Sequence, residues 1–101
     1  MIHHIVMWKI SDKTDMNLYQ ANKEILKDGF NNLYKLITEI HKISFHENVK
    51  LDDELNYDLS LLVEFKDINN LNIYISHPEH QKLVKIIKSL NLHRACIDIE
   101  V

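Results

Sequence analysis

Two hydrophobic periods alternate along this chain, and their order restricts the fold more than any other feature. A period of two marks strands and a period near 3.6 marks helices. The stretch "IHHIVMWKI" (2–10) sets Ile2, His4, Val6, Trp8 and Ile10 on one side, with Ile5 and Met7 on the other. Both sides are largely apolar, which predicts a strand covered on both faces. Residues 11–15 form a polar loop with Thr14 or Asp15 as a helix N-cap. Over 16–40, Leu18, Ala21, Ile25, Leu26, Phe30, Leu33, Ile37 and Ile40 recur at helical spacing and predict one long helix with an apolar stripe. Strands are expected over 42–49, 57–65 and 93–101, with an acidic loop at 50–56. The remaining helical stretch, 67–90, is broken by Pro78 into 67–76 and 78–90. The order is β-α-β-β-α-β, the ferredoxin-like split βαβ plan of an α+β fold with a four-stranded antiparallel sheet.

In that plan the helices cover one sheet face. The other face would carry His3, Ile5, Met7, Ser60, Leu62, Ile97, Ile99 and Val101. That set is too apolar to face water, and no third layer remains to cover it. A second copy of the chain is the economical cover, so a homodimer is expected.

Composition narrows the function classes. A chain of 101 residues and 12.0 kDa reads as a single domain over 1–101. Its net charge of −3 with no basic block speaks against a nucleic-acid partner. The N-terminus lacks a basic leader region and no segment is apolar enough to span a bilayer, so no membrane partner is expected and the cytoplasm is the simplest location. The one cysteine, Cys96, rules out an intramolecular disulfide and reads as a buried structural thiol rather than a nucleophile. One glycine excludes a phosphate loop and a dinucleotide fingerprint, and the seven histidines show no zinc-type spacing. Neither a cofactor nor a metal site is expected.

The motif with most chemical content is "YISHPEH" (74–80). Proline is favoured at a first helical position, because its φ is already helical and it loses no needed N–H. Pro78 then starts a helix, His77 sits near its N-cap and His80 falls in the first turn. There the helix dipole disfavours imidazolium and leaves a neutral ring suited to accept a proton. Tyr74 offers a hydroxyl as donor or acid. The alternative is that both rings pack as half-buried polar groups, and that His77 is only a cap.

Taken together, "MIHHIVMWKI", the Asn48–Val49 pair, "LLVEF" in the third strand and "YISHPEH" resemble, in this order and over the whole chain, the stress-responsive dimeric α/β-barrel (Dabb) family. The resemblance implies a ferredoxin-like unit whose sheets pair face to face in a homodimer. One similar member, the plant olivetolic acid cyclase, closes a polyketide chain by aldol chemistry. By that likeness His80 and Tyr74 take the places of its acid–base pair, and His4 and Asp98 those of pocket residues. Two positions depart from it: Leu59 stands where the cyclase has a histidine, and Trp8 where it has a small aliphatic residue.

In this topology the first and last strands are antiparallel neighbours, so His4 and Asp98 are expected within hydrogen-bonding reach. Such a pair either anchors a ligand or satisfies two buried polar groups. The combined expectation is a homodimer that binds a small apolar or aromatic molecule between sheet and helices. Trp8, Leu26, Phe30, Leu61 and Leu83 would line that pocket, with His80, Tyr74, His4 and Asp98 as its polar groups. If the chain is an enzyme, it is a cofactor-free, lyase- or cyclase-like acid–base catalyst. The alternatives are a non-catalytic structural or stress-protective dimer and a cofactor-free monooxygenase-like enzyme.

Overall fold

The computed structural model describes residues 1–10 and 13–101. Of the loop expected at 11–15, Ser11 and Asp12 lie outside the described residues. Along the chain run β1 (Ile2–Lys9), α1 (Met16–Leu36), β2 (Lys42–Glu47), β3 (Leu59–Phe65), α2 (Ile68–Ser76), α3 (Pro78–Lys88) and β4 (His93–Glu100). The four strands form one antiparallel sheet in the order β2-β3-β1-β4. This is the expected α+β, ferredoxin-like arrangement, with the second helical region split in two.

The helices lie on the face that carries Ile2, Val6 and Trp8 of β1 and Leu59, Leu61, Val63 and Phe65 of β3, all buried. Alternation along β1 and β3 is therefore strict, as a half-covered sheet demands. The opposite face shows Ile5, Met7 and Leu62 half-buried, with Ile97 56% and Ile99 36% exposed. His3 also lies there, its Nε2 3.3 Å from Glu64 across the strand pair.

Helix α1 begins at Asp15, whose side chain accepts the Leu18 N–H at 3.0 Å. Of the two N-cap choices, Asp15 is the cap. The buried stripe is Tyr19, Asn22, Leu26, Phe30 and Leu33, with Ile37 just past the end. Leu18, Ala21 and Ile25, expected on that stripe, are exposed. The register is set by two tethers. The Tyr19 hydroxyl donates to Glu47 of β2 at 2.7 Å, and Phe30 packs on Trp8 with ring centroids 5.4 Å apart. At the far side of β1, Asp58 is buried and accepts from the Ile10 N–H (2.8 Å) and from Lys13 Nζ (2.7 Å).

Gly29 explains how α1 and α3 approach. A Cβ built there would stand 2.5 Å from Leu83 Cδ1 of α3. The helix thus carries its least favourable ordinary residue at the point of closest packing.

Candidate functional site

The site is organised by a break in a helix. The residue before a proline is pushed to extended backbone, and His77 has ψ 135°. It ends α2 and starts α3 at once: its N–H donates to the Tyr74 carbonyl (3.2 Å), and its Nδ1 accepts the Glu79 N–H (3.1 Å). In an unbroken helix that Glu79 N–H would have gone to the carbonyl of Ile75. The Ile75 carbonyl is left over, one of the orphan acceptors of a helix end. It is taken by His80 Nδ1 (3.0 Å) and by the Gln81 side-chain amide (2.6 Å).

That contact settles the His80 ring. With Nδ1–H donating to a carbonyl, Nε2 carries the free lone pair. Burial, the largest cause, lowers the His80 pKa, and the nearby His4, Arg94 and His77 push the same way, against the Ile75 bond. A neutral ring with an unprotonated Nε2 follows. His80 stands 4.4 Å, centroid to centroid, from Tyr74. Tyr74 is 0% exposed, and its hydroxyl has no hydrogen-bond partner among the described residues. Burial raises its pKa well above the usual phenol value, with Arg94 opposing. Tyr74 therefore stays protonated, a donor with nothing to donate to.

On the sheet below, register does the positioning. His4 pairs with Asp98 and Val6 with Cys96, so all three polar side chains share the helix-covered face. The His4 ring donates from Nδ1 to Asp98 Oδ1 at 2.5 Å, and Cys96 Sγ lies 3.6 Å from the same nitrogen. His4 is 5% exposed and meets the Tyr74 ring edge-on at 5.9 Å. Between this surface and α2–α3 lies a cavity of about 410 Å³. Its polar wall is His4, Tyr74, His80 and Asp98; its apolar wall includes Trp8, Phe30 and Leu61. The indole of Trp8 is a wall of this cavity and does not close it. Its Nε1–H, like the Tyr74 hydroxyl, is buried without a partner among the described residues.

The structure thus brings together His80, Tyr74, His4, Asp98, Trp8, Phe30 and Leu61. It does not bring Leu26 and Leu83 to the cavity. Leu26 is fully buried in the core, and Leu83 is packed against Gly29. Cys96 corrects a reading too: it is exposed and borders the cavity, because β4 is an edge strand with no neighbour beyond it. Burial that remains, and Asp98 beside it, raise its pKa and keep it a thiol. Arg94, Lys88 and Gln81 also line the cavity and carry no signal in sequence. Only the β1–β4 register could have placed Arg94 there.

His4, Cys96 and Asp98 offer ligand atoms within 4.8 Å of one another, a donor set known for zinc. Ligand atoms about 2 Å from a tetrahedral ion stand more than ~3 Å apart. His4 and Asp98 meet in a hydrogen bond at 2.5 Å, and Asp98 would have to swing out for an ion to sit between them.

The model of the stress responsive A/B barrel domain, Dabb, matches residues 2–101. The chain belongs to this family. Among solved structures it is similar to a dimeric protein of unknown function with a ferredoxin-like fold from Bacteroides fragilis (27% identity, TM-score 0.86, covering 99% of this chain and 95% of that one). A Dabb-family protein from Mesorhizobium loti shares 18% identity at TM-score 0.75, with 99% and 95% covered. A hydroxynitrile lyase from Passiflora edulis shares the fold at 11% identity, with TM-score 0.79 and coverage of 99% and 92%. No curated protein matches the sequence. Among the described residues no helix is long and apolar enough to cross a membrane.

Proposed function

We propose that this Dabb chain works as a homodimer whose sheet–helix cavity binds a small apolar or aromatic carbonyl compound and moves a proton on it without a cofactor. One observation carries the reading: the His80 ring, held through Nδ1 by the Ile75 carbonyl so that Nε2 is free, packs against the ring of Tyr74 at 4.4 Å, and the Tyr74 hydroxyl has no partner among the described residues. The two groups are poised as opposites. His80 is kept neutral and able to accept; Tyr74 is kept protonated and able to donate. In the reaction, Nε2 takes a proton from the carbon next to the carbonyl. The electron pair moves onto the carbonyl oxygen, and the Tyr74 O–H donates a hydrogen bond to the enolate formed. The dimer is supported by the apolar helix-free face and by the dimeric Bacteroides fragilis neighbour.

A substrate need not be known to test this. Deuterium uptake at the methyl group of acetophenone in D₂O, followed by NMR, reads the proton-transfer step alone. The wild-type protein should catalyse uptake above buffer, and His80→Ala and Tyr74→Phe should each lose about 10²-fold or more. Binding of acetophenone without uptake would leave a ligand-binding dimer in place of an enzyme.

A further inference from the structure

The β1–β4 ladder assembles a donor set that spacing along the chain does not show. Register sets His4 against Asp98 and Val6 against Cys96, so a nitrogen, a sulfur and a carboxylate meet in the cavity wall. Around a tetrahedral zinc ion, with Zn–S about 2.3 Å and Zn–N about 2.0–2.1 Å, sulfur and nitrogen stand about 3.5 Å apart. Cys96 Sγ and His4 Nδ1 are 3.6 Å apart. That edge of the polyhedron is therefore already in place. The nitrogen–oxygen edge would be about 3.3 Å, against 2.5 Å between His4 and Asp98. Asp98 need retreat by less than about 1 Å, and its side chain is 42% exposed on an edge strand.

We infer that His4 Nδ1, Cys96 Sγ and the Asp98 carboxylate form a binding site for one soft divalent cation, Zn²⁺ above all. Thiolate and imidazole select zinc over Mg²⁺ and Ca²⁺, which prefer oxygen. Three protein donors leave a fourth position for water or for a donor atom of a ligand, the open coordination of a catalytic rather than a closed structural site. Binding sends the Cys96 thiol proton to solvent and the His4 proton from Nδ1 to Nε2, and Asp98 exchanges its hydrogen bond for the ion. Arg94 hydrogen-bonds Cys96, and a metal-bound thiolate accepts such a bond more strongly than a thiol does. None of this needs His80, Tyr74 or the proton transfer proposed above.

Cobalt is the probe, because Co²⁺ occupies zinc sites and reports its ligands by colour. With one cysteine in the chain, a thiolate-to-cobalt charge-transfer band can come only from Cys96. The protein titrated with Co²⁺ should develop that band, and the strong visible bands of a tetrahedral ion, at one ion per chain. Zn²⁺ should erase both, and excess Mg²⁺ should not. Cys96→Ser should abolish the charge-transfer band. By calorimetry, Cys96→Ser and Asp98→Asn should each weaken Zn²⁺ about 10²-fold or more, beyond the usual loss from an outer partner. Both positions are exposed on the edge strand, so both variants should stay folded, as circular dichroism checks. His46→Gln and His93→Gln, at exposed histidines elsewhere, should leave the affinity unchanged. Absence of the band, a band that survives Cys96→Ser, Zn²⁺ affinity indifferent to Asp98→Asn, or affinity that follows His46 or His93 would overturn the site. The acetophenone exchange is read on metal-free protein, so either result can fail without the other.

Discussion

At the scale of single residues, the site is a set of polar groups held by backbone leftovers. His80 is oriented by a carbonyl that the Pro78 break released, and His4 by a carboxylate across the ladder. Each makes a prediction. The folded-state pKa of His80 lies below its ordinary value of about 6.5. A depressed pKa contributes stability that is present above the unfolded value and is lost as pH falls through the folded one. His80 should therefore titrate below pH ~6.5 by NMR, and wild type should lose more stability on acidification through that window than His80→Gln. A His80 midpoint above the ordinary value would refute the neutral ring. The groups that face it are Tyr74 on α2, His4 on β1, Arg94 on β4 and His77 at its own helix start. Asp98→Ala should destabilise by about 1 kcal/mol, because buried His4 loses its acceptor while Asp98 itself is 42% exposed. Urea melts that coincide with wild type would show that the pair contributes nothing.

Between elements, one contact sets how α1 and α3 pack. Gly29→Ala brings a helix-propensity gain of about 1 kcal/mol and an overpacking cost of about 1–3 kcal/mol. The displaced atoms belong to the tip of Leu83, which can turn only within a buried site. A net loss of roughly 1 kcal/mol is expected in thermal or urea unfolding. Gly29→Ala combined with Leu83→Ala should be less destabilised than the two single losses added together, which isolates the clash. Strict additivity would locate the cost elsewhere. Helical periodicity was sound at this scale in predicting where elements lie. It was weaker on which side they bury: Leu18 and Ile25 are exposed, while Tyr19 and Asn22 face inward. Side-chain polarity alone cannot foresee that a tyrosine will be turned in to reach Glu47. On α3, Ile86 is likewise apolar and yet 50% exposed.

For the whole molecule, the helix-free face is the unfinished part. Ile5 and Leu62 are register partners at its centre, and Ile97 and Ile99 extend it onto the edge strand. Sedimentation at micromolar concentration should give about twice 12.0 kDa. Leu62→Glu should yield folded monomer, because an unpaired charge buried in an interface costs several kcal/mol. A wild-type chain that sediments as monomer would remove the dimer, and a Leu62→Glu dimer would move its interface. The cavity lies on the opposite side of the sheet, so this variant should keep ligand binding in proportion to its fold.

Period and punctuation in the sequence were enough to determine the element order, the antiparallel plan and the helix start at Pro78. Those signals are local: alternation, a fixed φ and a missing N–H act within a few residues. Parity along β1 and β4 was also enough to set His4 against Asp98, since a ladder between neighbouring strands is nearly a counting rule. Tertiary structure alone decided the rest. It turned Leu26 and Leu83 into core, brought Cys96 and Arg94 to the cavity rim, and left the Trp8 indole as a wall rather than a plug. These outcomes depend on how far two helices stand from a sheet, and so on a glycine–leucine contact and an aromatic pair more than twenty residues distant in sequence. No window of sequence contains that distance.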